Sequence, residues 1–286
     1  MNKITLVWQK DKNTIWESDW IHFLFKDITL EIVDNLDHNK FINNSVIIDL
    51  LHNAPYHNEY VQEMYRRKYN FGLVHLTDEG SNNDISSYQY CNFVVRNFYR
   101  KDMNDHVLTV PLGWTTGNRN LSKDKSSNER KLDWCCIIQR TDRNRQLASY
   151  AFEFMPNGLF YAAEQHGPRL SVEKMSEIYK DSKFVLCPGG RITPESFRTF
   201  ESLESGSIPI VLKNDYWKIC YGDDFPALQV NSWEEAKIII EQMLKKPEEL
   251  EAYRLNCLNW WNDSKIKTKQ QVEHLVEKTI YKKEIT

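Results

Sequence analysis

Short apolar runs recur along the whole chain, and each is bounded by polar residues or by glycine and proline. Such runs are four to seven residues long. This length suits buried β-strands, because a helix needs a longer segment with a period near 3.6. The pattern predicts strands at residues 3–8, 29–33, 45–51, 71–76, 92–95, 106–110, 132–138, 159–162, 183–187 and 208–212.

Segments with helical spacing alternate with these runs. In the last of them Val272, Leu275 and Val276 lie along one side. The segments predict helices at about 19–26, 58–69, 145–154, 172–179, 194–205, 234–244, 247–261 and 267–281. Strands that alternate with helices predict the α/β class with parallel sheets.

The chain is long enough for two domains of ordinary size, and its middle contains a candidate linker. Residues 115–130 are polar and carry Gly117 with several Asn and Ser residues. We therefore expect a Rossmann-like domain at 1–118 and a second at 119–266. The amphipathic segment 267–286 is expected to pack back on the first domain.

The most informative stretch is residues 182–212. A short apolar run ends at Cys187 and is followed by Pro188, Gly189 and Gly190, which break the strand and allow close approach to a ligand. Thr193-Pro194 is typical of a helix start, and Gly206 of a helix end. A glycine-bearing loop that leads into a helix N-terminus predicts an anion site, because free N–H groups and the helix dipole favour negative charge.

Two charged residues share one face of this predicted helix, because Arg198 and Glu201 are three positions apart. An arginine here can neutralise a diphosphate, and a carboxylate one turn further can accept hydrogen bonds from ribose hydroxyls. The alternative is an ordinary surface ion pair between Arg198 and Glu201, worth less than about 1 kcal/mol. Spacing alone leaves both interpretations open.

The string S-K-F-V-L-C-P-G-G, with S-F-R-x-F-E-S-L-x-S-G-S-I-P-I-V after it, resembles the C-terminal signature of the exostosin-like glycosyltransferases. This resemblance implies two Rossmann-like domains that face each other across a cleft, the GT-B architecture, with the donor in the second domain and the acceptor in the first. It implies that Arg198 binds the donor phosphates and Glu201 the ribose. It also implies that the donor loop, Pro188, Gly189, Gly190 and Ser196, lies along the diphosphate of a nucleotide-sugar.

A basic cluster follows the first strand of the second half, where a phosphate-facing loop is expected. Arg140 and Arg143 are candidate secondary contacts of the diphosphate, because the guanidinium fork binds phosphate oxygens in pairs. A solvated charged loop is the alternative.

An inverting sugar transfer needs a general base near the acceptor hydroxyl. Asp78 and Glu79 follow the strand at 71–76, where catalytic groups are placed in such sheets, and either could be that base. His75 and Trp114 are candidate acceptor-side residues. In the alternative interpretation Asp78 caps the next segment, His75 is buried in the sheet and Trp114 belongs to the core.

Composition excludes several classes. The net charge of −3 gives no basic footprint for nucleic acid, and no run approaches the ~18 apolar residues of a membrane-spanning helix. The six cysteines lack CxxC spacing and suggest reduced thiols in a cytoplasmic protein. Asp-x-Asp and clusters with metal-ligand spacing are missing from the sequence, so we expect neither a metal nor another cofactor.

The resemblance, together with these observations, implies a glycosyltransferase that moves a sugar from a nucleotide-sugar to a glycan or lipid-linked saccharide in surface polysaccharide synthesis. The resemblance favours a UDP-sugar and inversion at the anomeric carbon. The enzyme is expected in the cytoplasm, with possible peripheral contact at the inner membrane face. The alternatives are a non-catalytic carbohydrate- or nucleotide-binding module, and a polyol-phosphate or phospho-sugar transferase.

Overall fold

The computed structural model describes residues 4–8, 16–26, 28, 30–33, 41–49, 55–76, 78–118, 124–139, 143–163, 170–190 and 192–280. The chain divides into two compact units. Unit 1 comprises Met1–Pro111 with Ile266–Thr286, and unit 2 comprises Leu112–Lys265. The predicted boundary at residue 118 falls inside unit 2.

Unit 1 contains a six-stranded sheet in which every neighbouring pair is parallel. Its strand order is β2-β1-β3-β4-β5-β6. The strands are β1 Ile4–Trp8, β2 Leu30–Val33, β3 Ser45–Asp49, β4 Phe71–His75, β5 Phe93–Arg96 and β6 Val107–Thr109. The first two helices are α1 Ser18–Leu24 and α2 Pro55–Arg66, and a short 3-10 turn spans Ser86–Tyr90.

Helix α2 covers one face of this sheet. Its residues Tyr60, Val61 and Met64 recur at helical spacing and are buried against Ile47 and Leu73 of the sheet. Each large apolar side chain buried in this way stabilises the fold by about 1.5–3 kcal/mol.

Unit 2 contains a five-stranded sheet, also parallel throughout, in the order β11-β10-β9-β7-β8. Its strands are β7 Leu132–Gln139, β8 Gly158–Ala163, β9 Ser182–Leu186, β10 Ile208–Leu212 and β11 Leu228–Val230. Its helices are α3 Arg143–Phe152, α4 Val172–Asp181, α5 Phe197–Glu204, α6 Asp215–Tyr221 and α7 Trp233–Leu244. Helix α8, Pro247–Thr279, contributes residues to both units.

Four elements differ from the sequence prediction. Strand β11 and helix α6 were not predicted, because three and seven residues are too few to show a strand run or a helical period. The predicted helices at 247–261 and 267–281 are one helix, because the polar residues between them include neither glycine nor proline. Helix α5 begins at Phe197 rather than Pro194, with Ser196 in extended conformation as its N-cap.

The described part of the predicted linker is packed into unit 2. Arg130 is buried, and its Nη1 donates to the carbonyl oxygens of Lys180 and Ser182, each at 3.0 Å, while its Nη2 donates to that of Ser205 at 3.1 Å. These carbonyls lie at the C-terminal ends of α4 and α5, where a cation is favourable. The linker prediction missed this role because a polar composition does not distinguish a solvated segment from a buried hydrogen-bonded one.

Gly206 ends helix α5 with a φ of 68°, in the left-handed region that glycine favours. It also lies against the same charged cluster. A Cβ atom at this position would be 2.7 Å from Asp124 Oδ1, 2.9 Å from Arg130 Nη2 and 3.1 Å from Arg254 Nη1. Both the backbone conformation and the space therefore require glycine here.

Candidate functional site

The predicted donor loop lies between β9 and α5, at the carboxyl end of a central strand of unit 2. The loop closes on itself through a hydrogen bond of 3.0 Å from Gly190 N–H to the Glu195 carbonyl. A Cβ atom at Gly189 would be 3.1 Å from Pro194 Cα, so the loop is tight at this point. The Gly190 N–H is therefore used inside the loop.

Polar atoms beside the start of α5 remain unsatisfied. Among the described residues, Thr193 Oγ1, Ser196 Oγ and Arg198 Nε are buried and have no hydrogen-bond partner. Ser196 is the N-cap residue, yet its hydroxyl makes no cap hydrogen bond. Buried polar groups in folded proteins are nearly always paired, and exceptions mark places where a ligand, water or ion binds. This helix N-terminus therefore has the chemistry of an anion site.

Two guanidinium groups approach consecutive carbonyls of the donor loop. Arg198 Nη2 donates to the Pro188 carbonyl at 3.0 Å, and Arg145 Nη2 donates to the Gly189 carbonyl at 3.3 Å. Arg145 is buried in α3 and was not selected from the sequence as a contact. It could have been, because Arg145, Ala148 and Phe152 recur at helical spacing on the buried face of α3.

Arg140 and Arg143 were predicted as secondary contacts of the diphosphate, and the structure describes only one of them. Arg143 is exposed at the first residue of α3. Arg140 lies outside the described residues. Of the described residues in this basic cluster, Arg145 is the one whose guanidinium contacts the loop.

Glu201 lies one turn into α5 and is buried. Its Oε1 accepts two hydrogen bonds from Thr115, at 3.2 Å from the backbone N and 2.7 Å from Oγ1. Its Oε2 has no partner among the residues that the structure describes. Arg198 and Glu201 are both described and form no ion pair with each other. The alternative interpretation, a surface ion pair between these two residues, is therefore wrong.

Asp78, a candidate base in unit 1, is fully buried in a hydrogen-bonded network. Its Oδ2 accepts from Arg96 Nη2 at 2.9 Å, and Arg100 Nη1 lies 3.8 Å away. Its Oδ1 accepts from the backbone N–H groups of Asn82 and Asn83. Since both oxygens are engaged and covered, Asp78 has the position of a structural cap rather than of a base that meets an acceptor.

The remaining candidates of the acceptor side, His75, Trp114 and Glu79, differ in their burial and in their contacts. His75 is buried, with Nδ1 2.6 Å from Tyr88 Oη and Nε2 3.0 Å from Asn83 Nδ2, so its ring is held inside unit 1. Trp114 is buried in unit 2 and packs edge-to-face against Trp261, at 6.5 Å between centroids, so its position does not support stacking on a sugar. Glu79 is half-exposed after β4 and has no partner within the described ranges.

Residues 161–281 match the family model of the RXYLT1 C-terminal domain. That model is one of the exostosin-like glycosyltransferase family, so this part of the chain is similar to that family. The match contains the whole of the donor loop and α5, which are the residues on which the resemblance rested. The predicted resemblance to this family and the predicted enzyme class, a glycosyltransferase, are both confirmed.

Solved structures of glycosyltransferases are similar over nearly the whole chain. HepE from Anabaena in complex with UDP has a TM-score of 0.60 at 8% identity, covering 97% of this chain and 100% of HepE. An α-glucosyltransferase in complex with UDP-glucose and DNA containing an abasic site has a TM-score of 0.62 at 8% identity, covering 95% and 98%. An α1,3-fucosyltransferase has a TM-score of 0.53 at 12% identity, covering 98% and 91%. With the two parallel sheets, these likenesses confirm the predicted GT-B fold. No curated protein gave a significant match.

The region that the family model matches carries a further carboxylate that was not among the predicted site residues. Glu195 precedes the N-cap of α5, is buried, and accepts hydrogen bonds from the hydroxyls of Tyr216 and Tyr221 in α6. Burial raises the pKa of Glu195 to about 7, and the two tyrosine hydrogen bonds oppose that shift. Because its backbone carbonyl also holds Gly190, Glu195 connects α6 to the donor loop.

A buried carboxylate in unit 1, that of Glu17, was also not predicted. Glu17 precedes α1, is 0% exposed, and neither of its oxygens has a hydrogen-bond partner among the described residues. Burial raises the pKa of Glu17 to about 8. A single glutamate just before a short helix gives no indication in the sequence that its side chain will be buried.

Two searches of the described residues were negative. Within those ranges, three or more His, Cys, Asp or Glu side chains nowhere converge as a metal-binding group. No helix in the described part of the chain combines the length and the apolar composition that crossing a membrane requires.

Proposed function

We propose that this protein transfers a sugar from a UDP-sugar, with inversion and without a metal, to a glycan or a lipid-linked saccharide in surface polysaccharide synthesis. The observation that carries the proposal is the set of unpartnered polar groups at the start of α5, next to Arg198. The reaction would take place in the cytoplasm, at or near the inner membrane face.

The donor site would act by stabilising the leaving group. When the glycosidic bond to the diphosphate breaks, negative charge develops on the terminal phosphate. Ser196 Oγ and Arg198 Nε are available as hydrogen-bond donors beside the positive end of the α5 dipole. Donors that are fixed before the reaction stabilise such charge without reorganising. This arrangement would replace a divalent metal, and the absence of Asp-x-Asp from the sequence agrees with it.

The ribose of the donor would bind at Glu201. Thr115 holds one carboxylate oxygen, and Oε2 remains to accept hydrogen bonds from the ribose hydroxyls. We propose uridine as the nucleoside because HepE and the α-glucosyltransferase were solved with UDP and UDP-glucose. That inference rests on fold-level analogy.

The base that deprotonates the acceptor hydroxyl would be Glu79. The half-exposed Glu79 follows the carboxyl end of β4 and has no competing partner within the described part of unit 1, whereas Asp78 is enclosed. In open α/β sheets, ligands bind at the carboxyl ends of the strands.

The test is thermal stabilisation by UDP, GDP, CDP, CMP and ADP without added metal, on wild type, Arg198→Ala and Arg143→Ala. UDP at 100 times its Kd should add about 2.7 kcal/mol to the stability of the wild type. The shift should disappear in Arg198→Ala and persist in Arg143→Ala, whose side chain is exposed. Stabilisation by none of the nucleotides, or equal loss in both variants, would contradict the proposal.

A further inference from the structure

Asn118 lies in unit 2, near the proposed donor site, and neither polar atom of its side chain, Oδ1 or Nδ2, has a hydrogen-bond partner among the described residues. The residue is 1% exposed. A buried carboxamide normally finds partners for both its oxygen and its NH2 group, because leaving them unmade is unfavourable. Asn118 therefore marks a place where a complementary ligand would supply the missing partners.

The backbone around Asn118 is fixed without help from its side chain. Asn118 N–H donates to the Thr115 carbonyl at 2.9 Å, and Gly117 between them has a φ of 85°, which closes a tight turn. Ser176 Oγ in α4 donates to the Asn118 carbonyl at 3.3 Å. Since the turn and α4 already hold the main chain, the carboxamide has no structural hydrogen bond to make.

The same turn holds the carboxylate proposed to bind the ribose. Thr115, its first residue, donates both hydrogen bonds to Glu201 Oε1, and Asn118 is its last. The first and last Cα atoms of a β-turn lie within about 7 Å of each other. Asn118 therefore lies within about a nucleoside's length of Glu201.

The order of these groups follows the order of a bound nucleotide. Ser196 and Arg198 lie at the N-terminus of α5, where the diphosphate is proposed. Glu201 follows one turn further into the helix, and the turn that carries Asn118 contacts α5 at Glu201. A ligand with phosphate at Ser196 and ribose at Glu201 would carry its base toward this turn.

A carboxamide presents a donor and an acceptor side by side, which is the pattern on the pairing edge of a nucleobase. Asparagine side chains read base edges in this bidentate way in nucleic-acid complexes. We propose that Asn118 recognises the uracil of the donor through its N3–H and O4 groups, as a specificity-determining residue. This inference rests on the proposed function and deepens it.

The test measures the Kd of UDP, N3-methyl-UDP and pyrophosphate for wild type, Asn118→Ala and Ser176→Ala. Asn118→Ala should weaken UDP binding by about tenfold or more, because two hydrogen bonds are lost, and should leave pyrophosphate within about twofold. N3-methyl-UDP should bind the wild type about as weakly as UDP binds Asn118→Ala, with no further loss in the variant. Ser176→Ala is the matched control, since it removes a bond to the same turn but keeps the carboxamide, and its UDP affinity should change by less than about twofold.

Several results would overturn the assignment. Unchanged UDP affinity in Asn118→Ala, equal affinity of the wild type for UDP and N3-methyl-UDP, or an equal loss of pyrophosphate binding would each do so. The comparison of UDP with N3-methyl-UDP on wild-type protein needs no variant to fold. Wild-type protein that binds neither UDP nor pyrophosphate would instead contradict the proposed function, and the base assignment with it.

Discussion

Thr115 donates both its backbone N–H and its hydroxyl to one oxygen of Glu201, across 86 positions of sequence. The two bonds fix the carboxylate and leave its other oxygen without a partner among the described residues. Glu201 is thereby oriented by a segment outside the 161–281 match, although Glu201 itself lies within it. The proposed ribose contact therefore depends on residues from two separate parts of unit 2.

Thr115→Val should weaken UDP binding while leaving the fold intact. The change removes the 2.7 Å hydroxyl bond and keeps the backbone bond, so Glu201 loses one of its two restraints. We expect the Kd for UDP to rise about three- to tenfold and the free energy of unfolding to fall by about 1 kcal/mol. Isothermal titration calorimetry and urea unfolding measure the two quantities. Thr115→Ser keeps the hydroxyl and should retain affinity, and loss in both variants would argue against the restraint.

Substitution of Asp78 should lower the free energy of unfolding strongly, whereas substitution of Glu79 should hardly change it. Asp78→Asn leaves the buried Arg96 without its charge partner, so the free energy of unfolding should fall by about 3–5 kcal/mol. Glu79→Gln should leave unfolding within about 0.5 kcal/mol of wild type, because the side chain is half-exposed and unpaired in the described part of the chain.

The rate of sugar transfer tests the proposed role of Glu79 as the general base. Glu79→Gln should lower kcat for sugar transfer by about 100-fold or more and leave the Kd for UDP unchanged, as expected for loss of a general base. Release of UDP from a UDP-sugar in the presence of acceptor measures this rate. A Glu79→Gln variant with wild-type kcat would remove Glu79 from the mechanism.

Arg145 should matter more to donor binding than Arg143. Arg145→Met removes a buried cation whose Nη2 contacts the Gly189 carbonyl, and keeps most of the apolar volume. We expect the Kd for UDP to rise about tenfold, which corresponds to about 1.4 kcal/mol. Arg143→Met at the exposed start of α3 is the matched control and should bind UDP like wild type. The reverse order of effects would restore the sequence-based choice of Arg143.

Glu17 should make stability depend on pH. Its folded-state pKa of about 8 lies above the ordinary value of 4.5, so the folded protein binds this proton more tightly than the unfolded chain does. The contribution is complete below pH 4.5 and is lost as pH rises to about 8, at about 1.4 kcal/mol for each pH unit.

Glu17→Gln removes this titration. Its free energy of unfolding relative to wild type should therefore increase between pH 5 and pH 8, which urea unfolding across that range (about three pH units) can measure. Glu241→Gln, an exposed change in α7, should stay parallel to wild type. A difference between Glu17→Gln and wild type that is constant with pH would show that Glu17 does not titrate in this way.

The sequence allowed the strands and the donor loop to be predicted because both are local. Apolar runs such as the one at 183–187 identify a buried strand without knowledge of its neighbours, and Pro188 to Gly190 mark the loop directly. The short β11 and α6 lack such signals, and they were missed.

The partners of the candidate residues could not be predicted in the same way. A position directly after a strand favours Asp78 as a base, but Arg96, which neutralises it, is 18 positions away and is brought near by strand pairing. Glu201 likewise acquires Thr115 only in the folded chain. Tertiary contacts decide whether a carboxylate at a favourable position is enclosed or available.

The crowding around Gly206 has a consequence for how relatives of this protein can vary. A side chain at this position would crowd Asp124, Arg130 and Arg254, because its Cβ atom would lie 2.7, 2.9 and 3.1 Å from their charged atoms. Because the φ of 68° also favours glycine, homologues should keep glycine at 206 even where one of the arginines is replaced by a smaller residue. The dependence therefore runs in one direction: the two arginines can occupy their places only while position 206 has no side chain.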